Sequence, residues 1–428
     1  MKRILLFPLL LISQFIVLAQ KDCRNAEYRQ QQINNSPALI ARINAIEAFT
    51  KDLQRSRTIA TNDINSQSNT PAPAPQVIVI PVVVHVLYNN NAQNISNAQI
   101  LSQIDVLNKD YARQNADTNN TPVVFRPFAA NCGIRFELAK VDSAGYATTG
   151  VVRKHTNIAG FAIDDRIKFS SMGGDDAWDR DRYLNLWVGN LSGGVIGYAS
   201  VVGGQAERDG VVILYSAFGA GGSAKAPFNK GRTATHEIGH WLNLIHTWGD
   251  ADCGTDQVDD TPPQQGPDRG YITGVKVSCN NGPNGDMYTN FMDFTDDNCM
   301  NLFTNGQRDR MQALFAPGGE RYAMLSSNAL TSTPLDTPVI LSVPPDNIPG
   351  QQVSVYPNPA TSLISVQISD DANLGSTLEI YNQVGQKVIT SKVTQLLFQL
   401  NVSALTKGIY YIKVGNGKNG GMSKLVKM

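Results

Sequence analysis

Apolar and polar residues alternate with different periods in different stretches of the chain, and each period predicts its own kind of element. The first residues, MKRILLFPLLLISQFIVLAQ, carry an unbroken apolar run from Ile4 to Leu18 behind Lys2 and Arg3. Residues 20–75 are mostly polar: helical spacing runs from Glu27 to Lys51, and SRTIATNDINSQSNTPAPAP, Ser56 to Pro75, reads as an open linker. From Gln76 the character changes. VIVIPVVVHVLY is a β-branched run of the kind that fills a buried strand. SNAQILSQIDVLNKDYARQN then shows a 3.6-residue period, with Ser96 placed to cap a helix. Strands are expected at 133–141, 183–188 and 210–215, followed by a helix through HEIGHW. Residues 326–350 are rich in Ser, Thr and Pro and predict a second linker. After it, VSVYPNP, SLISVQIS, TLEIYNQVGQKVI, LLFQLNV, GIYYIKVG and MSKLVKM alternate at a period of two between Gly, Asn and Pro. About seven short strands there suggest a small all-β sandwich.

The pattern therefore predicts a leader at 1–19, a polar segment at 20–75, one α/β domain at 76–325, a linker at 326–350 and a β-sandwich at 351–428. The leader has the charged start, apolar middle and small-residue exit (Val17-Leu18-Ala19) of a secretory signal. Its apolar run is shorter than the ~20 residues that span a bilayer, so the mature protein is expected to be exported without a transmembrane anchor. Lys+Arg and Asp+Glu both number 36, which argues against a nucleic-acid or anionic-membrane binder. Export permits disulfides, and the five cysteines, at 23, 132, 253, 279 and 299, leave at least one out of any internal pairing.

Three of the five histidines fall within HEIGHWLNLIH, His236 to His246. His236 and His240 are four residues apart and share a helix face, so both can reach one ion. Glu237 follows the first, where its carboxylate can accept a proton from a water that Zn²⁺ has acidified. His246 cannot join them from an unbroken helix, because six more residues rotate it roughly 240° from His240 and carry it about 9 Å along the axis. The helix must stop between them and the chain must reverse. Such a reversal uses one left-handed residue, and Asn243 is the side chain that tolerates this best after glycine. His85, in an apolar strand, and His155, in a polar loop, read as structural.

This H-E-x-x-H-x-x-(G/N)-x-x-H pattern, with DDTPPQ at 259–264 and NFMDFTDDNCMNLFT at 290–304, resembles the metzincin zinc peptidases and among them the pappalysin (cytophagalysin-like) family. The resemblance spans roughly 76–315. It implies a metzincin-type α/β domain with a twisted mixed sheet and active-site helices. It also implies a secreted endopeptidase acting on proteins or peptides, with zinc on His236, His240 and His246 and Glu237 as general base. Met292 matches the Met-turn that underlies the three imidazoles. Where the family often has a tyrosine able to donate to the oxyanion, this chain has Phe294. Tyr288 or another donor substitutes, or the metal stabilises the oxyanion alone. That departure also motivates the alternative of a catalytically weakened metzincin scaffold that binds protein partners, and a non-peptidase zinc hydrolase is the third reading.

Five aspartates, 250, 252, 256, 259 and 260, crowd one loop. A solvated acidic loop would look the same, but carboxylates also suit calcium. The resemblance supports structural calcium, with Asp256, Asp259 and Thr261 as ligands. It further implies a Cys253–Cys279 disulfide pinning that loop, and leaves Cys299 free or paired with Cys132. Cys23, in KDCRNAEY, resembles the lone cysteine of short pro-segments that takes the fourth zinc position and keeps the enzyme latent. Cutting near Arg55, Arg57 or within 58–75 would then activate it. Asp296 and Asp297 are candidates for a pocket that pairs with a basic side chain after the scissile bond, or for a solvated turn. YPNPATSLISV, LEIYNQVGQKV, LTKGIYYIKV and SKLVKM resemble the C-terminal sorting domain of the type IX secretion pathway. That implies outer-membrane secretion machinery as a partner and a secreted or cell-surface location.

Overall fold

The computed structural model describes residues 22–67, 77–331, 353–368, 373–415 and 421–428. The expected signal at 1–19, the end of the first linker and most of the second lie outside them. The chain forms two compact units, one running up to Glu137 and from Val152 to Ser327, the other made of Leu138–Val151 and Asn328 onwards. Among the described residues no helix is long and apolar enough to cross a membrane.

The first unit opens with a two-residue strand, β1 (Asp22–Cys23), and two helices, α1 (Asn25–Asn35) and α2 (Ala38–Gln67). The single helix expected over 27–51 is therefore broken. Pro37 has no amide to donate and steers Ser36 out of helical geometry, to φ −146° and ψ 85°. In contrast, the stretch from Ser56 to Gln67 expected as linker continues α2. Its Ser, Thr and Asn residues each cost only about half a kcal/mol in a helix, and extending an existing helix needs no new nucleus.

β2 (Ile78–Tyr88), α3 (Asn97–Tyr111), β3 (Ile134–Leu138), β4 (Val151–His155), β5 (Leu184–Gly189), β6 (Val195–Ala199) and β7 (Val211–Leu214) follow. Ser96 caps α3 by accepting from the Gln99 amide at 3.2 Å. The sheet order is β1-β6-β7-β5-β2-β3, with β4 also on β2. β2, β5 and β7 run parallel, whereas β6 is antiparallel to β7. Central strands buried on both faces explain the unbroken apolar run: Val82, Val83, Val84 and Val86 are all 0% exposed. β6 is short and follows Gly193-Gly194, so nothing in its sequence marked it as a strand. It carries β1 on its outer edge, in parallel.

α4 (Arg232–Trp241) lies against β6 and β7, and the two-residue strands β8 (Arg269–Gly270) and β9 (Phe294–Thr295) pair beyond it. α5 (Asn305–Ala313) has a capping box between Thr304 and Gln307. Cys253 and Cys279 form a disulfide, whereas Cys132 and Cys299 are both buried free thiols and do not pair with each other.

In the second unit β10 (Val353–Tyr356), β11 (Leu363–Ile368) and β14 (Leu397–Asn401) form one antiparallel sheet. β12 (Thr377–Asn382), β13 (Lys387–Lys392), β15 (Gly408–Val414) and β16 (Gly421–Lys427) form the other. Their inward residues, among them Val355, Ile364, Val366, Ile380, Ile412 and Leu425, share one core. Among the described residues these strands number seven and form the small all-β sandwich that the alternation predicts.

Candidate metal centre and cleft

α4 ends where the chain needs to turn. The Leu244 amide bonds back to the Gly239 carbonyl at 2.9 Å, and Asn243 takes the left-handed conformation with φ 71°. That is a glycine-type helix stop occupied by asparagine. It brings His246 back to the face that presents His236 and His240. The Nε2 atom of His240 lies 3.1 Å from that of His236 and 3.0 Å from that of His246. The Cys23 sulfur is 3.7 Å from the same His240 nitrogen. Among the described residues, Cys23, His236, His240 and His246 form the one group of three or more such side chains close enough to share a metal ion.

The other ring nitrogen of each imidazole is engaged. His236 Nδ1 donates to the Phe291 carbonyl at 2.7 Å, His240 Nδ1 to the Leu244 carbonyl at 2.9 Å, and His246 Nδ1 to Asp250. Every Nδ1 therefore carries the proton and every Nε2 turns a lone pair inwards. Three lone pairs this close repel one another unless a cation lies between them, so the donor set fits a divalent metal. Burial and the neighbouring imidazoles push His240 well below its usual range and His236 to about 3, which keeps both neutral.

Two glycines make room. A Cβ on Gly239 would lie 2.5 Å from the Met292 sulfur, and one on Gly197 2.7 Å from a Glu237 oxygen. Met292 thus packs under the histidine helix, and β6 passes directly over the glutamate. Glu237 is 0% exposed and burial lifts it to about 8. The Cys23 thiol is close enough to act on it electrostatically, yet neither carboxylate oxygen has a hydrogen-bond partner of ordinary geometry.

A pocket beside Glu237 is lined by Cys23, Ile196, His236, Phe294, Asp297 and Met300 among others. Asp297 is buried and accepts from the amides of Lys230 at 2.6 Å and Arg232 at 3.4 Å. Burial raises it to about 6 despite those bonds. Asp296 is half-buried in the preceding turn and does not line this pocket. Phe294 packs against His236 and His246, with ring centres 5.7 and 4.8 Å apart. The Tyr288 hydroxyl donates to the Gly274 carbonyl at 2.6 Å, so it is already committed and does not stand in for the missing donor.

The aspartates of the acidic loop have different surroundings. Asp256 is buried, accepts from the Thr261 hydroxyl at 2.7 Å and from the Val258 amide at 3.1 Å, and is lifted by burial to about 7. Asp259 is exposed and makes no hydrogen bond to either Asp256 or Thr261. Asp260 instead binds the start of α5, through the Thr304 hydroxyl and the Gly306 amide. The sequence reading also missed three supports of the site. Asp250, one of the aspartates of the acidic loop, orients His246. Trp248 stacks on His246 with ring centres 4.4 Å apart. Arg310 donates to the Asn243 carbonyl at 2.7 Å and, with its other nitrogens, clasps Glu47 of α2. None of these carries a motif of its own.

The family model described as pregnancy-associated plasma protein-A matches residues 170–316, and the secretion system C-terminal sorting domain matches residues 354–428. An extracellular metalloprotease of Pyricularia oryzae is 30% identical over 64% of this chain and 88% of its own. Mature mirolysin of Tannerella forsythia, solved with a cleaved peptide, is 49% identical over 61% of this chain and all of its own, with a TM-score of 0.59. A promirolysin mutant from the same organism is 43% identical over 73% of this chain and all of its own, with a TM-score of 0.64. The chain belongs to the pappalysin family of metzincin zinc endopeptidases, as a secreted metalloprotease made in latent form and carrying a type IX sorting domain.

Proposed function

We propose that His236, His240 and His246 hold one zinc ion and that Glu237 is the general base of peptide-bond hydrolysis. The observation that carries this is the convergence of three Nε2 lone pairs whose Nδ1 protons are all spoken for. Zinc bound there would supply a Lewis acid that polarises the scissile carbonyl and acidifies a water. Glu237 takes a proton from the attacking water and returns it to the leaving amine. A carboxyl held near neutrality by burial suits both halves of that transfer. Asp250 and the Phe291 and Leu244 carbonyls keep each imidazole in its binding tautomer, and Met292 supports them from below. With Phe294 in place of a donor and Tyr288 engaged elsewhere, neither of these two positions supplies a hydroxyl to the oxyanion. Retention of Glu237 and all three histidines favours an active peptidase over a binding scaffold. The mirolysin structure with a cleaved peptide supports peptides as the substrate class.

Cys23 is the latency switch in this reading. β1 on the edge of β6 delivers its sulfur beside the imidazoles. Burial and the Glu237 charge push the free thiol up, and a divalent cation in contact would draw it to the thiolate. Residues 20–75 thus act as the pro-segment, 76–325 as the catalytic domain and 351–428 as the sorting module that engages the outer-membrane secretion machinery. Asp297, rather than Asp296, selects a basic side chain after the scissile bond. A structural calcium would be held by Asp256, Asp259 and Thr261, where a cation would relieve the buried Asp256 carboxylate; chelating calcium should then lower the thermal midpoint without removing zinc.

The deciding assay is casein cleavage by protein freed of residues 20–75, with and without chelator, beside Glu237→Ala. Cleavage that survives both chelation and Glu237→Ala sinks the mechanism. For latency, the intact proform of Cys23→Ala should cleave measurably where the wild-type proform does not. Equal silence would remove the switch.

A further inference from the structure

A second buried contact between the pro-segment and the rest of the first unit lies away from the metal centre, at Tyr28. Tyr28 of α1 is 2% exposed, and its ring meets Tyr198 of β6 with centres 4.7 Å apart. Its hydroxyl donates to Asp165, 2.6 and 2.7 Å from the two carboxylate oxygens. The same oxygen accepts from Lys168 at 3.0 Å and from Gln32 at 2.9 Å. Lys168 is 0% exposed and its ammonium lies 5.0, 5.2 and 5.5 Å from the ring centres of Tyr28, Tyr198 and Trp187. Arg208 completes the group by donating to Asp165 at 2.9 Å. Asp165 is held at φ 63°, in the left-handed region that non-glycine residues seldom adopt.

Of the groups around the Tyr28 oxygen, only Gln32 belongs to the pro-segment. Asp165, Lys168, Arg208, Trp187 and Tyr198 remain when that segment leaves. What they keep is an aromatic-walled socket in which the Lys168 ammonium and the Asp165 carboxylate are paired at 3.0 Å, both within hydrogen-bond reach of one phenolic oxygen. The Tyr198 hydroxyl is also buried and has no hydrogen-bond partner. A phenylalanine could fill the walls, but Asp165 would lose the phenolic donor and Lys168 one acceptor, keeping only their mutual pair and their bonds to Arg208. Buried sites of that type reject the analogue that lacks the hydroxyl. Nothing in the hydrolytic machinery uses these residues.

We propose that in the mature enzyme this socket is an exosite for the tyrosyl side chain of a peptide lying beside β6, recognised through its hydroxyl. The proposal rests on the reading of residues 20–75 as a removable pro-segment, and on nothing about the metal. The bound tyrosine would belong either to the released segment or to a substrate.

The test uses enzyme matured from the full chain and a labelled peptide of residues 25–35, NAEYRQQQINN, which lacks Cys23. Fluorescence anisotropy should show saturable binding that weakens at least about tenfold when phenylalanine replaces the peptide's tyrosine. Lys168→Met in the enzyme should cause a similar loss. If that variant fails to fold, the exchange in the peptide decides alone, since the enzyme is untouched. Binding should persist in chelator, which separates this result from the fate of the Cys23 switch, read by proform activity. Competition between the peptide and casein cleavage would place substrate tyrosines in the socket; binding without competition would restrict it to the released segment. No saturable binding, or equal binding of the tyrosine and phenylalanine peptides, overturns the proposal.

Discussion

The two units bury different things. The first hides three imidazoles, Glu237, Asp297, Lys168 and Arg232 in its interior. The second encloses valines, isoleucines, leucines and Ala360 with one tyrosine, Tyr410, in the shared core of its two sheets, and buries few polar residues, among them Ser365, Asn373, Ser423 and Lys427. Burying a charge or an unpaired polar group costs several kcal/mol unless partners are supplied, whereas each buried aliphatic side chain contributes about 1.5–3 kcal/mol. A unit that accepts the first cost does so where chemistry or recognition needs preorganised groups. A unit that avoids it is built for stability and presents its function on the outside.

That contrast can be broken by substitution in either unit. The largest effect is expected from Glu237→Ala, which should slow casein cleavage by about 10²–10⁴-fold, the usual contribution of a positioned general base, while leaving zinc content and thermal midpoint close to wild type. Ile380→Ala in the sandwich should destabilise that unit by about 2–5 kcal/mol without altering cleavage by the matured enzyme. A coupled loss of activity would show that the two units are not functionally separate.

Gly239→Ala sharpens the comparison within the first unit. Alanine gains about 1 kcal/mol of helix propensity, but its Cβ would press on the Met292 sulfur 2.5 Å away. Crowding a packed interior costs about 1–3 kcal/mol, so a lower thermal midpoint and reduced zinc content are expected. A midpoint at or above wild type would contradict the packing role of Met292. The smallest effect concerns pH. Asp297, raised by burial to about 6, is ionised above that value and neutral below it. The ratio of cleavage before basic residues to cleavage before uncharged residues should therefore fall as pH drops through about 6. A ratio flat from pH 5 to 8 would remove Asp297 from the pocket's selectivity.

Local pattern was enough where an element answers to its own neighbours. The alternation of 353–428 specified the strands because period two is imposed by the strand itself, and Ser96 specified the start of α3 because a cap acts over three residues. The spacing of His236, His240 and His246 went further: arithmetic on the helix required a stop, and Asn243 was the residue able to make it. Phe294 likewise announced a missing hydroxyl. By contrast, β6 and β1 were invisible, being short strands: β6 forms between β1 and β7, and β1, among the described residues, pairs only with β6. The linker expected after Ser56 became helix, since composition describes exposure and not the cheap extension of a helix already formed.

The sequence by itself determined which side chains could meet a metal, that a chain reversal must deliver the last of them, and that a sandwich closes the chain. Only the tertiary structure decided which acid enters the pocket, that Asp260 parts from Asp256, that Tyr288 is already engaged, and that Asp250 and Arg310 hold the reversal in place. The physical reason is range. Helix period, strand alternation and turn preference act over a few residues and are written along the chain, whereas burial and hydrogen-bond competition depend on neighbours that may be more than a hundred residues away.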